Sequence, residues 1–588
     1  MESSAFSWRS SAGVCLVLLL LLASAIRFWA IPYRYDFRDY DEPHYLTCGL
    51  QVFEGMTPVY HYAPAGPEAW FGWVNAGVLS TRYVLFPTPE ERQVPAVIRP
   101  YTAINHALFD LYRDKGTLRI EFTILNMIVA IFAVAAGYRL GWLWGGFGGA
   151  ILLGGLLAFM PLLIEYSAMS KSYSMAWSFA MIAIYFAASD RKPRHQTWSA
   201  IFLGLAIGSR VEMLGVVPFP LILLWARRVS ITQFLRTGLR YAGVMVVTML
   251  LVAPWLLTNL FGNLRAIATV RVATPTGRSD VLIETIRELA WNQGLLVVLL
   301  MLFGAIGVIF FRPKGNETSS ESAPVDRRAQ VWRCLLFGYG LFLLATIFRG
   351  TGYGLRHHGP AIMGLLAITP LAIDPFLRRW PRPAWMLIAA AVLLPFVQCV
   401  RSVAAFRNTS TRSDVTAWIE THVPPGTDVY VSTTFHDPLP TPEAADVIWN
   451  EVASPAAPAR KFKSGLERFQ LGDMKTPHAL SEQHVITERS SERGWYILGS
   501  RADFAGPRFN VHPFNESAVF GLYDPVPSFN KTGGILVWRF EAPPVGMKNA
   551  VKIWDGGAGT NVSVYATPDV AAHLKAGIEA ANFDSSMK

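Results

Sequence analysis

Cysteine is scarce in this chain, and so is charge. Only four cysteines, Cys15, Cys48, Cys334 and Cys399, occur in 588 residues. Three lie in or beside apolar runs and none belongs to a CxxC pair, which argues against a disulfide framework or a thiolate zinc site. Cys48 lies near an acidic cluster, where a reactive thiol is conceivable, but a buried structural cysteine is the simpler reading. Charged residues make up 16% of the chain against 52% hydrophobic ones. The mean hydropathy is +0.30. That balance excludes an ordinary soluble protein of this length. There is no repeat of fixed period, so a solenoid or array is excluded as well. Acidic residues are fewer than basic ones, 42 against 52, giving a net charge of +10. In a soluble protein such an excess would suggest nucleic acid. Here the basic residues fall mostly in short loops between apolar runs, with no basic-aromatic platform and no zinc spacing, so no nucleic-acid partner is expected.

The chain does have long apolar runs. They extend over Ala12–Ile31, Phe122–Tyr138, Trp142–Leu163, Tyr173–Ala188, Trp198–Gly208, Met213–Trp225, Tyr241–Leu260, Gln293–Phe311, Val331–Phe348, Pro360–Leu377 and Ala384–Val403. This predicts an α-helical polytopic membrane protein of about 11 transmembrane helices. The fifth and sixth runs are short and joined by Gly208-Ser209-Arg210-Val211-Glu212, which suits a tight hairpin or a partly re-entrant pair. Arg139, Arg191, Lys192, Arg194, Arg227, Arg228, Arg236, Arg240, Arg312, Lys314, Arg327, Arg328, Arg333, Arg378, Arg379 and Arg382 all fall on one side if the spans alternate. That side is then the cytoplasm. The N-terminus is expected inside. The loop from Pro32 to Glu121 and the chain after Arg401 are expected outside. Met1 to Ile26 has the look of a secretory signal, but the apolar stretch continues through Ile31 and is read as an uncleaved anchor.

Composition shifts near residue 404 toward polar, proline-containing sequence. Asp414–Thr421 reads as a helix, and Asp428–Ser432, Gly494–Leu498, Ala518–Tyr523 and Gly534–Phe540 read as strands. Two domains follow: residues 1–403 in the membrane, with the first outer loop at 32–121, and a C-terminal extracytoplasmic α/β or α+β domain at 404–588.

The first outer loop opens with Asp39-Tyr40-Asp41-Glu42-Pro43-His44-Tyr45. Three carboxylates within four residues at a bilayer surface need a reason. One reason is catalysis, since a carboxylate can take the proton of a hydroxyl acceptor. The other is a solvated turn.

Several stretches, in order, resemble a known superfamily. Asp41-Glu42-Pro43-His44-Tyr45 resembles its acidic D-E-x-x-Y/F motif. Phe53-Glu54-Gly55-Met56-Thr57-Pro58 with His61-Tyr62-Ala63-Pro64 resembles its following glycine and H-P-P stretch, with Ala63 in place of the first proline. Met160-Pro161 through Glu165-Tyr166-Ser167 and Lys171-Ser172-Tyr173-Ser174 resemble its second outer loop, with Lys171 where arginine is usual. Arg356-His357-His358-Gly359-Pro360 resembles its R-Y-x-x-P approach to a late span, with His357 replacing tyrosine. Val415–Val431 resembles the start of its outer soluble domain. The superfamily is the glycosyltransferase-C type of integral membrane enzymes, in particular those resembling protein O-mannosyltransferases, aminoarabinose transferases and bacterial core-sugar transferases.

The resemblance implies a hexosyl- or pentosyltransferase of cell-envelope glycans in a bacterial inner membrane. It would take its sugar from a polyprenyl-phosphate donor, pass it to a glycan, lipid or protein hydroxyl, and invert the anomeric carbon. Asp41 is then the general base, the alternative being a turn or helix cap. Glu42 orients the acceptor, binds a metal or pairs with an arginine. Asp36 and Asp39 are solvated neighbours. Arg356, Lys171 and His357 are candidates for the donor phosphate, and the two cations compete with a role on ordinary lipid headgroups. His357 and His358 are also candidate ligands or proton carriers. His61, Tyr45 and Glu165 are candidates to line the acceptor cavity. Arg27 is expected to snorkel or to pair with Asp41 or Glu42. No cofactor is required, and a divalent metal is compatible with the carboxylates. A transporter or flippase of a lipid-linked sugar and an O-antigen-ligase-like enzyme are the competing readings. Both fit less well, because the acidic cluster lies in the first loop, no half-repeat is evident and the longest loop between spans is the first.

Overall fold

The computed structural model describes residues 11–31, 59–60, 63–64, 117–168, 172–189, 193–227, 230–253, 296–297, 299–301, 327–348, 358–407, 429–431, 480–481, 495–499, 535–540 and 562–566. Its helices are α1 (Ser11–Trp29), α2 (Thr117–Phe159), α3 (Pro161–Ser167), α4 (Ser172–Ala188), α5 (Pro193–Ser209), α6 (Pro218–Arg227), α7 (Ile231–Val252), α8 (Arg327–Phe348), α9 (Gly359–Arg379) and α10 (Pro381–Arg407), with a 3-10 helix at Val211–Val216 between α5 and α6. The chain divides into two compact units. One comprises Met1–Ala30, Asp41–Asn75 and Thr123–Val403, and the other Ile31–Tyr40, Ala76–Phe122 and Ala404–Lys588.

Among the described residues, five helical stretches are long and apolar enough to cross a membrane: Ser11–Trp29, Thr123–Phe159, Ile231–Val252, Gly359–Arg379 and Pro381–Val400. Shorter apolar helices cover Ser172–Ala188, Val211–Ala226 and Cys334–Ala345. Leucines and valines such as Leu18, Leu21, Leu239, Val247, Leu251 and Leu393 are exposed on these helices. A bilayer is the solvent that such surfaces require, and the chain is an integral membrane protein.

α2 is not one rod. Gly145 (φ −129°, ψ 16°) and Gly146 (φ 60°, ψ −149°) leave the helical region. The second conformation is essentially reserved for glycine. Beyond them the chain runs back along itself. A Cβ on Gly137 would overlap Leu157, one on Gly141 would strike the backbone of Gly149, and one on Gly154 would lie 2.9 Å from Tyr138. Glycine at these positions lets two antiparallel arms approach at backbone distance. Spans two and three of the sequence reading are these arms, but the reversal falls at Gly145–Gly146 rather than around Arg139.

The hairpin is wedged among its neighbours. Leu16 of α1, Tyr138 and Ala150 form one buried cluster with Leu19, Leu20, Ala135, Trp142 and Ile151. The Tyr138 hydroxyl donates to the Ala12 carbonyl at 2.8 Å. Pro370 of α9 approaches Gly145 and Gly149, and Val392 of α10 approaches Gly155. Elsewhere α5 lies between α4 and α7. Ser199 donates to the Ala183 carbonyl at 2.8 Å, and its hydroxyl lies 2.9 Å from that of Tyr241.

Three boundaries differ from the sequence reading for identifiable reasons. The third span is interrupted at Met160, which is extended (φ −62°, ψ 117°) with Pro161 opening α3. Pro161 has no N–H, so the helix cannot run through it. α7 begins ten residues before Tyr241 because the Ser230 hydroxyl caps it, accepting from the Gln233 N–H at 3.2 Å. This moves Arg236 and Arg240 from a loop onto a helix. The linker of the fifth and sixth spans becomes a single extended residue, Arg210, followed by the 3-10 helix.

Arg27 also departs from expectation. It is 1% exposed and does not snorkel. Its guanidinium donates to the carbonyls of Ala23, Ala158 and Leu157 at 3.2, 3.1 and 2.9 Å.

In the second unit, β3 (Val429–Val431), β4 (Leu480–Ser481), β5 (Trp495–Gly499), β6 (Ile535–Phe540) and β7 (Val562–Ala566) form a mixed five-stranded sheet in the order β4-β3-β5-β7-β6. β3 pairs in parallel with β4 and β5, and β7 pairs antiparallel with β5 and β6. β3, β5 and β6 fall where alternation predicts them, whereas β4 and β7 were not anticipated. The expected helix Asp414–Thr421 and strand Ala518–Tyr523 lie outside the described residues. A two-residue pair, β1 (Val59–Tyr60) with β2 (Ala63–Pro64), is antiparallel and belongs to the first unit.

Candidate functional site

Three segments that lie between apolar runs of the sequence meet in the first unit: the α3–α4 region, the linker after α5, and the start of α9. Each arrives there for a local reason. Pro161 restarts the chain as α3, and all seven of its residues are buried, Glu165 and Tyr166 included. The C-terminal N–H of Ala168 returns to the carbonyls of Ile164 and Glu165. α4 then begins at Ser172 with Tyr173 and Trp177 on successive turns.

Tyr166, Tyr173 and Trp177 form an aromatic cluster. The Tyr166 ring lies 5.2 Å from both others, tilted at 49° to Tyr173 and edge-on at 72° to Trp177. Tyr173 and Trp177 are 6.2 Å apart. Offset and edge contacts of this kind suit the ring quadrupoles. Onto Tyr173 comes Arg210, whose guanidinium carbon lies 3.8 Å from the ring centroid. The same guanidinium donates through Nε to Glu212 Oε1 at 2.7 Å. Arg210 is buried and Glu212 is partly exposed. The carboxylate and the π-face together help to offset the lost hydration of this buried guanidinium.

The start of α9 completes the cluster. Gly359 packs so closely on Trp177 that a Cβ there would overlap the indole nitrogen. Pro360 lies against Gly215 of the 3-10 helix, 3.1 Å from where a Cβ would sit. That carbonyl of Gly215 also accepts from the Tyr339 hydroxyl at 2.5 Å. His358 precedes α9 at its cap position and is 4% exposed. Burial pushes its imidazole down to about 4, so it is neutral at pH 7. Ser172 Oγ, Trp177 Nε1 and His358 Nε2 are buried and have no hydrogen-bond partner among the described residues. Buried polar atoms of this kind call for a partner such as an ordered water or a ligand.

Of the residues singled out from sequence, Glu165 stands in this cluster's α3 segment, 1% exposed. Asp41, Glu42, Tyr45, His61, Lys171, Arg356 and His357 lie outside the described residues, as do Asp36 and Asp39. Sequence reasoning gave no site role to Arg210, Glu212, Tyr173 or Trp177. The available signal was an ionisable pair, Arg210 and Glu212, between two apolar runs. Among the described residues no three His, Cys, Asp or Glu side chains are grouped as metal ligands.

No protein-family model matches the chain, and no curated protein does. Among solved structures, the chain is similar to ArnT from Cupriavidus metallidurans bound to undecaprenyl phosphate, with a TM-score of 0.47 and 13% identity over 95% of this chain and 99% of that one. The apo state of the same protein gives 0.45 and 13% over 84% and 95%. The Archaeoglobus fulgidus oligosaccharyltransferase in its apo form gives 0.44 and 11% over 92% and 74%. At these scores and identities the likeness carries no inference about this chain, whose own residues have to supply it.

Proposed function

We propose that the chain is an inverting membrane glycosyltransferase that moves a sugar from a polyprenyl-phosphate donor to a hydroxyl acceptor at the outer face of the membrane. One observation carries the reading: the start of α4 meets the start of α9 through Trp177 and Gly359. Lys171 immediately precedes the first of these starts, and Arg356 and His357 immediately precede His358 at the second. Two cations adjacent in sequence to these helix starts support a site for a departing polyprenyl phosphate. Asp41 takes the acceptor proton, Glu42 orients the acceptor, and Glu165 with His61 and Tyr45 lines the acceptor cavity. The donor phosphate is held by Arg356, Lys171 and His357. The sheet of residues 429–566 belongs to the extracytoplasmic domain, the N-terminus is cytoplasmic, and the host membrane is a bacterial inner membrane.

The test is mass spectrometry of membrane lipids and surface glycans from cells with the gene, without it, and complemented by Asp41→Asn. Loss of one sugar together with accumulation of its lipid-linked donor, restored by wild type and not by Asp41→Asn, is expected. Equal restoration by Asp41→Asn would remove the base. A donor that accumulates only on the cytoplasmic leaflet would replace the transferase with a flippase.

A further inference from the structure

Arg27 is a fully buried cation in a membrane-spanning helix, and every hydrogen bond it makes goes to a backbone carbonyl. Two of those carbonyls belong to Leu157 and Ala158, about 130 residues away in sequence. Their position explains why they need a donor. In a continuous helix the Leu157 carbonyl would accept from the N–H of residue 161. Residue 161 is proline, so that bond cannot form. Met160 still donates to the Leu156 carbonyl at 2.8 Å, then turns extended, and α3 starts afresh with Leu163 donating to the Met160 carbonyl at 3.0 Å. The break therefore leaves helix-terminal carbonyls in a place where water cannot reach them. Arg27 supplies the missing donors: Nη2 reaches Leu157, and Nη1 is shared between Ala158 and its own helix at Ala23. The cation also sits at the C-terminal ends of two helices, α1 and the second arm of α2, where the helix dipoles favour positive charge.

We infer that Arg27 is a positioning residue: it pins the Met160–Pro161 break and so sets where α3 holds Glu165 and Tyr166. The inference rests on the glycosyltransferase reading only for what Glu165 then does. Arg27 touches neither substrate nor reacting atoms, and its effect on turnover passes through α3. A lysine at this position has three donors on a single nitrogen and lacks the fork that puts separate nitrogens on Leu157 and Ala158.

The experiment is a mutant cycle on the full-length protein in nanodiscs, using Arg27→Met, Arg27→Lys, Pro161→Ala, Glu165→Gln and the doubles Arg27→Met/Pro161→Ala and Arg27→Met/Glu165→Gln. Thermal unfolding and donor-dependent transfer are read in each. Alanine at 161 restores an N–H for the Leu157 carbonyl. Arg27→Met should therefore lower the midpoint less in the Pro161→Ala background than in wild type. In transfer, Arg27→Met should reduce kcat by roughly ten- to 100-fold with donor KM little changed, Arg27→Lys should restore part of it, and Arg27→Met/Glu165→Gln should lose no more than the worse single variant. An equal midpoint loss in both backgrounds would overturn the pin, and additive losses of kcat would overturn the link to Glu165. If Arg27→Met does not fold, Arg27→Lys in the two 161 backgrounds decides the coupling by itself. If even wild type transfers no sugar while the midpoints remain coupled, the pin stands and the glycosyltransferase reading fails.

Discussion

The guanidinium carbon of Arg210 lies over the Tyr173 ring, 3.8 Å from its centroid. The two residues sit on elements that the sequence separates by a whole helical pair, so this contact fastens the linker after α5 to the start of α4. The Nε of the same guanidinium donates to Glu212 Oε1 at 2.7 Å.

Arg210→Ala should remove the ion pair and the cation–π contact together and leave Glu212 partly buried without its cation. A loss of about 2–4 kcal/mol is expected. Arg210→Lys should recover only part of it, because an ammonium lacks the planar stacking face. Tyr173→Leu, which removes the ring, should resemble a partial loss of Arg210. Thermal midpoints in a single detergent check the series. A Tyr173→Leu variant as stable as wild type would show that the ring contributes nothing.

Glycines should divide by what surrounds them. Gly141→Ala places a methyl against the backbone of Gly149, which cannot move aside, and should cost about 1–3 kcal/mol. Among the described residues Gly243 on α7 has no atom within 4 Å of where its Cβ would be, so Gly243→Ala should stabilise the helix by up to about 1 kcal/mol. Gly146→Ala meets no neighbour either but must adopt φ 60°, and should be destabilising through backbone strain alone. Equal effects of Gly141→Ala and Gly243→Ala on the unfolding midpoint would contradict the antiparallel packing of the two α2 arms.

His358 makes stability depend on pH. Its folded-state pKa is lowered to about 4 by burial, below the usual histidine value of 6.5. The unfolded chain therefore takes up a proton first as pH falls. The contribution is fully present above pH 6.5 and is lost progressively as pH drops through that value toward about 4. His358→Gln should flatten this part of the midpoint-against-pH curve without changing it near pH 8. Parallel curves for the two proteins would mean that His358 is solvated or already protonated.

The orientation has a direct check. Asn450→Cys in a background lacking the four native cysteines should react with an impermeant maleimide added to intact spheroplasts. Labelling only after the cytoplasmic face is exposed would invert the topology and put Asp41 on the wrong side.

Local pattern alone carried much of this protein. The apolar runs announce helices in lipid, because a span must satisfy its backbone within itself and advertise that by length and hydropathy. The alternation in Val429–Val431, Trp495–Gly499 and Ile535–Phe540 announces strands for a similar reason, since facing sides differ every second residue. The breaks at Gly145–Gly146 and Pro161 were visible as residues but not as geometry. What the sequence could not decide is who meets whom. Gly359 belongs to a motif of the sequence, but the reason it is glycine shows only when Trp177 occupies the space its side chain would need. Arg27 looks like an interfacial cation until the carbonyl that Pro161 leaves without a donor arrives beside it from 130 residues away. Periodicity is written within one or two helical turns. A partner for a buried donor is chosen only when distant segments pack and water is gone, and that choice belongs to the tertiary structure.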